Sequence, residues 1–392
     1  MVNTSHDVTA YECLSNYKRD VIDANNLYEA FRKSEKESDW KPQVQKFEMT
    51  YLLGLSKMQS ELTENKYHFK PTSTFVVHER GKKRVIQGEQ IEDRLLKHDI
   101  CDNVLNPCTS KYLIFDNGAS QKDKGISFTR RRLEYHLHKY YRKYGNEGYI
   151  LLIDFSKYYD NIRHDVLKEQ FRKYINDEYI NQIISQILER SEVDVSYMSD
   201  EEYNHCMEKL FNAIEYQNID TALKNRTKMM KKHLNIGDQI SQTAGIIYPI
   251  PIDNFIKIVK GVEFYARYSD DSYVIDSSKE FLKQLLQEIT EIANKLGITI
   301  NKNKTRICKL SDYWRFLQIQ YSLTSTGRIV EKINPKRLTA IRRKMKKISC
   351  KLTKNEFTNF FYSWFKANKK YMSNKQKENM LNLFKEELLC TR

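Results

Sequence analysis

The stretch FYARYSDDSYVI, Phe264 to Ile275, sets two short runs of strand-forming residues around adjacent carboxylates, Asp270 and Asp271. Tyr, Val and Ile suit a pleated strand and Asp does not, so the pattern predicts a β-hairpin with its acids at the tip. Two neighbouring like charges repel. An outside partner would stabilise them, and the simplest is a divalent cation. A second strand signal, Tyr149 to Ile153 within NEGYILLIDFSKYYDNI, also ends on an acid, Asp154. If the two strands pair in one sheet, their carboxylates meet at one end. A group of hard oxygen ligands suits Mg²⁺, which shares its coordination with substrate phosphates. Two such ions side by side stabilise the attacking and the leaving oxygens of a phosphoryl transfer.

Composition narrows the partners. Of 392 residues, 40% are hydrophobic and 12% aromatic, enough to build packed cores and to exclude a disordered chain. The formal net charge of +15 suits nucleic acid or an anionic surface. No apolar run reaches eighteen residues, so no membrane span is expected. The first thirty residues lack a signal-peptide pattern. The seven cysteines are scattered and none forms C-x-x-C, which argues against a zinc site or a disulfide framework. The expectation is a cytoplasmic protein with reduced thiols.

Periodicity supplies the elements. NNLYEAFRKSEKE and VQKFEMTYLLGLSKMQSELTEN carry apolar residues at helical spacing. STFVVHERGKKRVIQG alternates around Gly81 and predicts a hairpin. EDRLLKHDICDNVLNP predicts a helix ending near Pro107. HDVLKEQFRKYI and the stretch from about Glu280 to Leu296 are further helices, and from Pro335 the chain is helical and strongly basic. Hairpins mixed with helices, without repeated β-α-β units, indicate an α+β fold.

The order of the remaining motifs is specific. YILLIDFSKYYDNI, GDQISQ, YARYSDD, LGITINKNKT and FLQI follow one another as palm motifs A to E do in reverse transcriptases. Upstream, KKRVIQGEQIEDRLLKHDI resembles the fingers segment of bacterial enzymes of this kind, and YLIFDNGASQKDKGISFTRRRL the stretch before motif A. The resemblance runs from about Asn26 to Ile348. It implies a right-hand polymerase with fingers, an antiparallel-sheet palm and a helical thumb. The corresponding spans are a helical N-terminal region at 1–60, fingers at 61–147 and 167–243, palm at 148–166 and 244–330, and a basic thumb at 331–392.

By the same resemblance, Asp154, Asp270 and Asp271 would be the catalytic carboxylates and hold two Mg²⁺ ions, which Mn²⁺ could replace. The Phe155 carbonyl would be a further ligand. Tyr159 would be the aromatic gate that occupies the space of a ribose 2′-OH and so favours dNTPs. Gly237, Ser241 and Gln242 match motif B and would contact the incoming nucleotide or template. Arg84 and Lys83 would grip the triphosphate, the former with a guanidinium fork suited to phosphate. Arg94 would serve either structure or substrate positioning. Lys304 would be the general acid for the leaving pyrophosphate.

Where relatives usually read F-L-G, this chain reads Phe316-Leu317-Gln318, so a primer grip needing a glycine turn would be altered. Ser269 stands before the acid pair where many relatives carry Ala, Met or Val.

The stretch KINPKRLTAIRRKMKKISCKLTK carries ten Lys or Arg and no acid, yet keeps apolar residues at near-helical spacing. Its Arg342, Arg343, Lys346 and Lys347, with Arg130 and Arg131 upstream, would contact phosphates without reading sequence. The partners implied are an RNA template, a DNA primer and product, and dNTPs. The missing retron V-T-G triplet, the retained Ser241-Gln242 and the lack of room for an RNase H or nuclease module favour the compact stand-alone enzymes. Among these, a defence-associated (anti-phage) enzyme with a cognate non-coding RNA is expected. Diversity-generating and retron-like enzymes are the alternatives. An RNA-binding module with an inactive palm is the rival of another class, and an RNA-synthesising polymerase would carry an Asp near the sugar in place of Tyr159.

Overall fold

The computed structural model describes residues 16–36, 38–79, 81–217 and 224–391. The first part of the expected N-terminal helical region, residues 1–15, lies outside the described residues. Helices and antiparallel strands are mixed, in keeping with an α+β chain. Contacts divide it into two compact units, each assembled from separated segments.

The first unit comprises Met1–Gly125, Asp154–Glu263 and Leu285–Lys302. The predicted hairpin forms between strands Ser73–Glu79 and Lys82–Gly88, paired antiparallel from Ser73 with Gly88 to Glu79 with Lys82. Gly81 sits in its turn at a φ of +77°, a conformation that costs glycine little. The helix Ile91–Ile100 follows. Sequence signals put its end near Pro107, but helical backbone continues through a π-helical turn, Cys101–Leu105, into Asn106–Thr109. Pro107 falls in the first turn of that last segment, directly after the π-helical turn. The helix Gln239–Ile247 starts on Asp238, whose side chain accepts a hydrogen bond from the Ile240 N–H at 2.8 Å.

The second unit comprises Ile126–Ile153, Phe264–Gln284 and Asn303–Arg392. Its centre is a four-stranded antiparallel sheet in the order Arg306–Lys309, Tyr149–Ile153, Asp271–Asp276, Tyr265–Tyr268. Ile150, Leu151, Leu152 and Ile153 are all buried, so both faces of that strand are covered and its apolar run does not alternate. Ile150 pairs with Ile275 and Leu152 with Tyr273. These residues join Leu133, Leu137 and Tyr140 of the helix Ile126–Tyr144 in one core with Trp314, Phe316 and Tyr321. Those last three belong to a smaller sheet, Trp314–Phe316, Ile319–Leu323 and Ile329–Ile333.

The C-terminal helices Pro335–Ser349, Lys354–Asn368 and Asn374–Leu388 pack around Ile341, Met345, Phe357, Phe361 and Phe384. The latter two helices begin with reciprocal capping boxes, Thr353 with Glu356 and Ser373 with Gln376. No helix among the described residues is long and apolar enough to cross a membrane.

Asp99, on the helix Ile91–Ile100, is fully buried. One of its oxygens accepts from Asn103 Nδ2 at 2.5 Å and the other has no hydrogen-bond partner among the described residues. Burial pushes its carboxyl up to about 8. The folded chain therefore holds a proton that the unfolded chain has released, and stability falls as pH rises from the ordinary carboxylate range toward about 8. Asp99→Asn should flatten this dependence, losing at least about 1 kcal/mol less between about pH 5 and about pH 8 than the parent. Urea midpoints at the two pH values measure it, and parallel curves would contradict it.

Candidate active site

The site is built at one end of the four-stranded sheet. The last residue of the strand Tyr149–Ile153 pairs with Ser272. One step outward the chain continues to Asp154 on one strand, and Asp271 precedes Ser272 on the other. Antiparallel register thus carries these two acidic positions to the same sheet end. On the third strand, Arg306 pairs with Leu152, and the turn residue Lys304 lies two positions before it, at that same end. Asp154 is buried, and its carbonyl accepts from the Asn301 N–H at 2.8 Å. Phe155 opens the short strand Phe155–Ser156, paired with Thr299–Ile300.

Asp270 lies in a two-residue turn closed by the pair Tyr268 and Asp271. Ser269, the first turn residue, has a φ of +54°. A side chain there costs about 1 kcal/mol or more, which the rest of the hairpin must offset. Part of the support is visible. Arg267, almost wholly buried, donates from Nη1 to the Ser269 carbonyl at 3.2 Å. On the other strand of the hairpin, Asp271–Asp276, the Tyr273 hydroxyl lies 2.9 Å from His136 Nδ1, tying the hairpin to the helix Ile126–Tyr144.

Among the described residues, no group of three or more His, Cys, Asp or Glu side chains is gathered as a ready metal cage. The donor set still fits Mg²⁺, because that ion is commonly held by one or two carboxylates and completes its shell with water and substrate phosphates.

The other expected site residues fall as follows. Tyr159 is half-buried in the 3₁₀ turn Tyr158–Asn161, and its carbonyl accepts from the Leu234 N–H at 2.9 Å. Gly237 is exposed at a φ of +95°, Ser241 is buried and Gln242 is exposed. The loop that carries Gly237 is anchored beside it. Lys97, itself buried, donates to Asp238 at 2.5 Å and also pairs with Glu89. A cavity of about 310 Å³ opens there, lined by Arg94, Gly237 and Gln239 among others. Arg94 is committed to the protein, donating to the Ser34 carbonyl at 2.5 Å and to Ser38 Oγ at 3.2 Å. Lys83 and Arg84 lie on the hairpin strand Lys82–Gly88, the first exposed and the second half-buried.

Arg343, Lys346 and Lys347 are exposed on the helix Pro335–Ser349, and Arg342 is half-buried. Arg131 is exposed on the helix Ile126–Tyr144. Its neighbour Arg130 has a protein role that the sequence did not signal. It donates to the Leu317 carbonyl at 2.6 Å, and its guanidinium lies over the Tyr371 ring at 5.2 Å.

Leu317 and Gln318 form a two-residue turn with φ values of +43° and +74°, closed by the pair Phe316 and Ile319. The turn thus forms without the glycine that relatives carry. Gln318 adopts the left-handed conformation, and Arg130 holds the carbonyl beside it.

The model of the reverse transcriptase (RNA-dependent DNA polymerase) family matches residues 70–321. The chain belongs to this family. The match contains the acidic hairpin, the strand that leads to Asp154 and the Gly237 loop, so the fold is that of a right-hand polymerase.

A putative COX1/OXI3 intron 1 protein of Saccharomyces cerevisiae is 22% identical over 312 residues, which is 71% of this chain. The chain spans about a third of the length of that curated relative, 36%. Telomerase of Candida albicans, solved with a fragment of telomeric RNA, aligns at a TM-score of 0.44 and 12% identity, over 82% of this chain and 59% of that one. Telomerase of Candida tropicalis aligns at 0.45 and 13%, over 67% and 55%.

Arg130→Met should destabilise this reverse transcriptase by about 1.5–3 kcal/mol, the worth of a charged hydrogen bond to a backbone carbonyl. Urea unfolding without nucleic acid measures it. An unchanged midpoint would mean that the arginine does not support the turn.

Proposed function

We propose that the chain is an RNA-directed DNA polymerase that adds dNTPs to a primer 3′ end on an RNA template. The observation that carries the reading is the register of Ile153 with Ser272, which brings positions 154 and 271 to one sheet end. Asp154, Asp271 and the adjacent Asp270 would hold two Mg²⁺ ions, or Mn²⁺ in their place, with the Phe155 carbonyl as a further ligand. When bound, these ions supply charge stabilisation to the attacking and leaving oxygens.

The chain's own residues orient and exclude. Arg84 and Lys83 receive the triphosphate, Gly237 lets backbone approach the nucleotide, and Ser241 and Gln242 bond the nucleotide or template. Tyr159 closes the space of a 2′-OH. Lys304, at the carboxylate end of the sheet, donates a proton to pyrophosphate. The cavity beside Gly237 has the size of a small-ligand site and suits part of a nucleotide or template.

Fingers, palm and thumb follow the boundaries given above. Arg342, Arg343, Lys346, Lys347 and Arg131 hold duplex phosphates, and Arg130 supports the turn that faces the primer. The work is done in the cytoplasm, in anti-phage defence, on a cognate non-coding RNA. The likeness of the motif series to compact stand-alone bacterial enzymes supports this last step.

Purified protein with Mg²⁺ or Mn²⁺ should extend a DNA primer on RNA, and on the nucleic acid that copurifies with it. Asp154→Asn or Asp270→Asn should cut the rate by about a thousandfold or more, since a lost metal ligand removes several kcal/mol of charge stabilisation. Full biological effect in the Asp270→Ala, Asp271→Ala double variant would favour an RNA-binding module instead.

A further inference from the structure

The Tyr159 ring lies against Gly245 of the helix Gln239–Ile247. A Cβ added to Gly245 would stand 2.7 Å from the Tyr159 hydroxyl oxygen, 3.0 Å from Cζ and 3.3 Å from Cε1. No real Cβ sits that close to an oxygen, so this helix accepts the ring only because residue 245 has no side chain. The neighbouring tyrosine binds the same residue. The buried Tyr158 donates its hydroxyl hydrogen to the Gly245 carbonyl at 2.7 Å. The two rings are edge-to-face, with centroids 5.5 Å apart. Tyr159 is held from the other end as well, through the Leu234 N–H on its carbonyl. Glycine in a helix interior costs stability relative to alanine, and close backbone approach is a reason to keep it there. Gly245 is buried in that helix, and the three atoms nearest to an added Cβ all belong to Tyr159.

We infer that Gly245 is a positioning residue that sets how far the Tyr159 ring stands into the nucleotide's sugar space. The inference rests on the reading of the chain as a dNTP polymerase with Tyr159 at the sugar. Its physical basis is one-sided packing. Tyr159 is only half-buried, and Gly245 lies against its ring. Atoms added at Gly245 push the ring away from the helix, which in the proposed site is toward the nucleotide. The notch therefore sets the width of the sugar site. It holds the ring back far enough to admit a deoxyribose, while the hydroxyl-bearing edge still blocks a 2′-OH.

The test is a double-mutant cycle of Gly245→Ala and Tyr159→Phe, read by single-nucleotide incorporation and by urea unfolding. Alanine is the better helix former, so Gly245→Ala should fold. In the Tyr159 background it should raise KM for dNTP by about tenfold with a smaller change in kcat, as a misplacement under an ångström does in a fitted site. Ribonucleotide use should not increase.

Removing the hydroxyl oxygen removes the closest of the three contacts. In the Tyr159→Phe background the KM penalty of Gly245→Ala should therefore shrink by at least half on a logarithmic scale. The urea midpoint should also respond more favourably to alanine there than in the parent. Equal effects of Gly245→Ala in both backgrounds, or an unchanged dNTP KM, would overturn the inference and leave the polymerase reading standing. A parent protein that incorporates no nucleotide on any template would overturn both, and the unfolding cycle would then report only whether the two residues touch.

Discussion

The pairing of Ile153 with Ser272 is the constraint on which the rest depends. A strand has a side-chain period of two, so slipping this register by one residue would turn Ile150 and Leu152 away from the Tyr140 and Trp314 core. It would also shift Asp154 out of step with Asp271. The apolar contacts that fix the core and the placement of the acids are therefore one choice. In the proposed mechanism, a chain that folds its core correctly would already have aligned its carboxylates. The Mg²⁺ ions of the proposed mechanism need contribute little to folding, because hydrophobic burial supplies the alignment.

The site stores strain at tight turns, and each turn has visible support nearby. Ser269 has a positive φ beside Asp270 and is held through its carbonyl by the buried Arg267. Leu317 and Gln318 both have positive φ and are held by Arg130. The Gly237 loop is fixed next door by the ion-paired Asp238 and Lys97. Arginine and lysine are thus spent inside the protein as well as on its surface. That affects how the net charge of +15 is read, since part of it braces turns and is not displayed to nucleic acid.

Much of this was legible in the chain. The acidic hairpin, the apolar strand before Asp154, the hairpin around Gly81 and the basic amphipathic helix after Pro335 all follow from periodicity and turn chemistry. The two-unit assembly was not legible, because it joins segments far apart in sequence. The helix signal that ends near Pro107 holds to within two residues, at Thr109, but the π-helical turn before it left no mark in the sequence. How the turn at Gln318 manages without glycine was not legible either: the backbone places this residue in the left-handed region, with the neighbouring carbonyl held by Arg130.

Arg130 reads in sequence as one more member of a basic run, and only coordinates reveal its partner 187 residues away. The Tyr273 link to His136, 137 residues away, was silent for the same reason. Gly245 carried a faint signal, a glycine within an apolar helical run, but nothing in the sequence named the ring it accommodates.

The central claim is that the sheet register delivers Asp154 and Asp271 to shared metal ions. A crystal structure of the protein with RNA template, DNA primer, a non-reactive dNTP analogue and Mg²⁺ tests it most directly. The account predicts at least one ion bound by carboxylate oxygens from both Asp154 and the Asp270–Asp271 pair, at about 2.1 Å. Ions bound elsewhere, or these carboxylates turned away from a common centre, would contradict it.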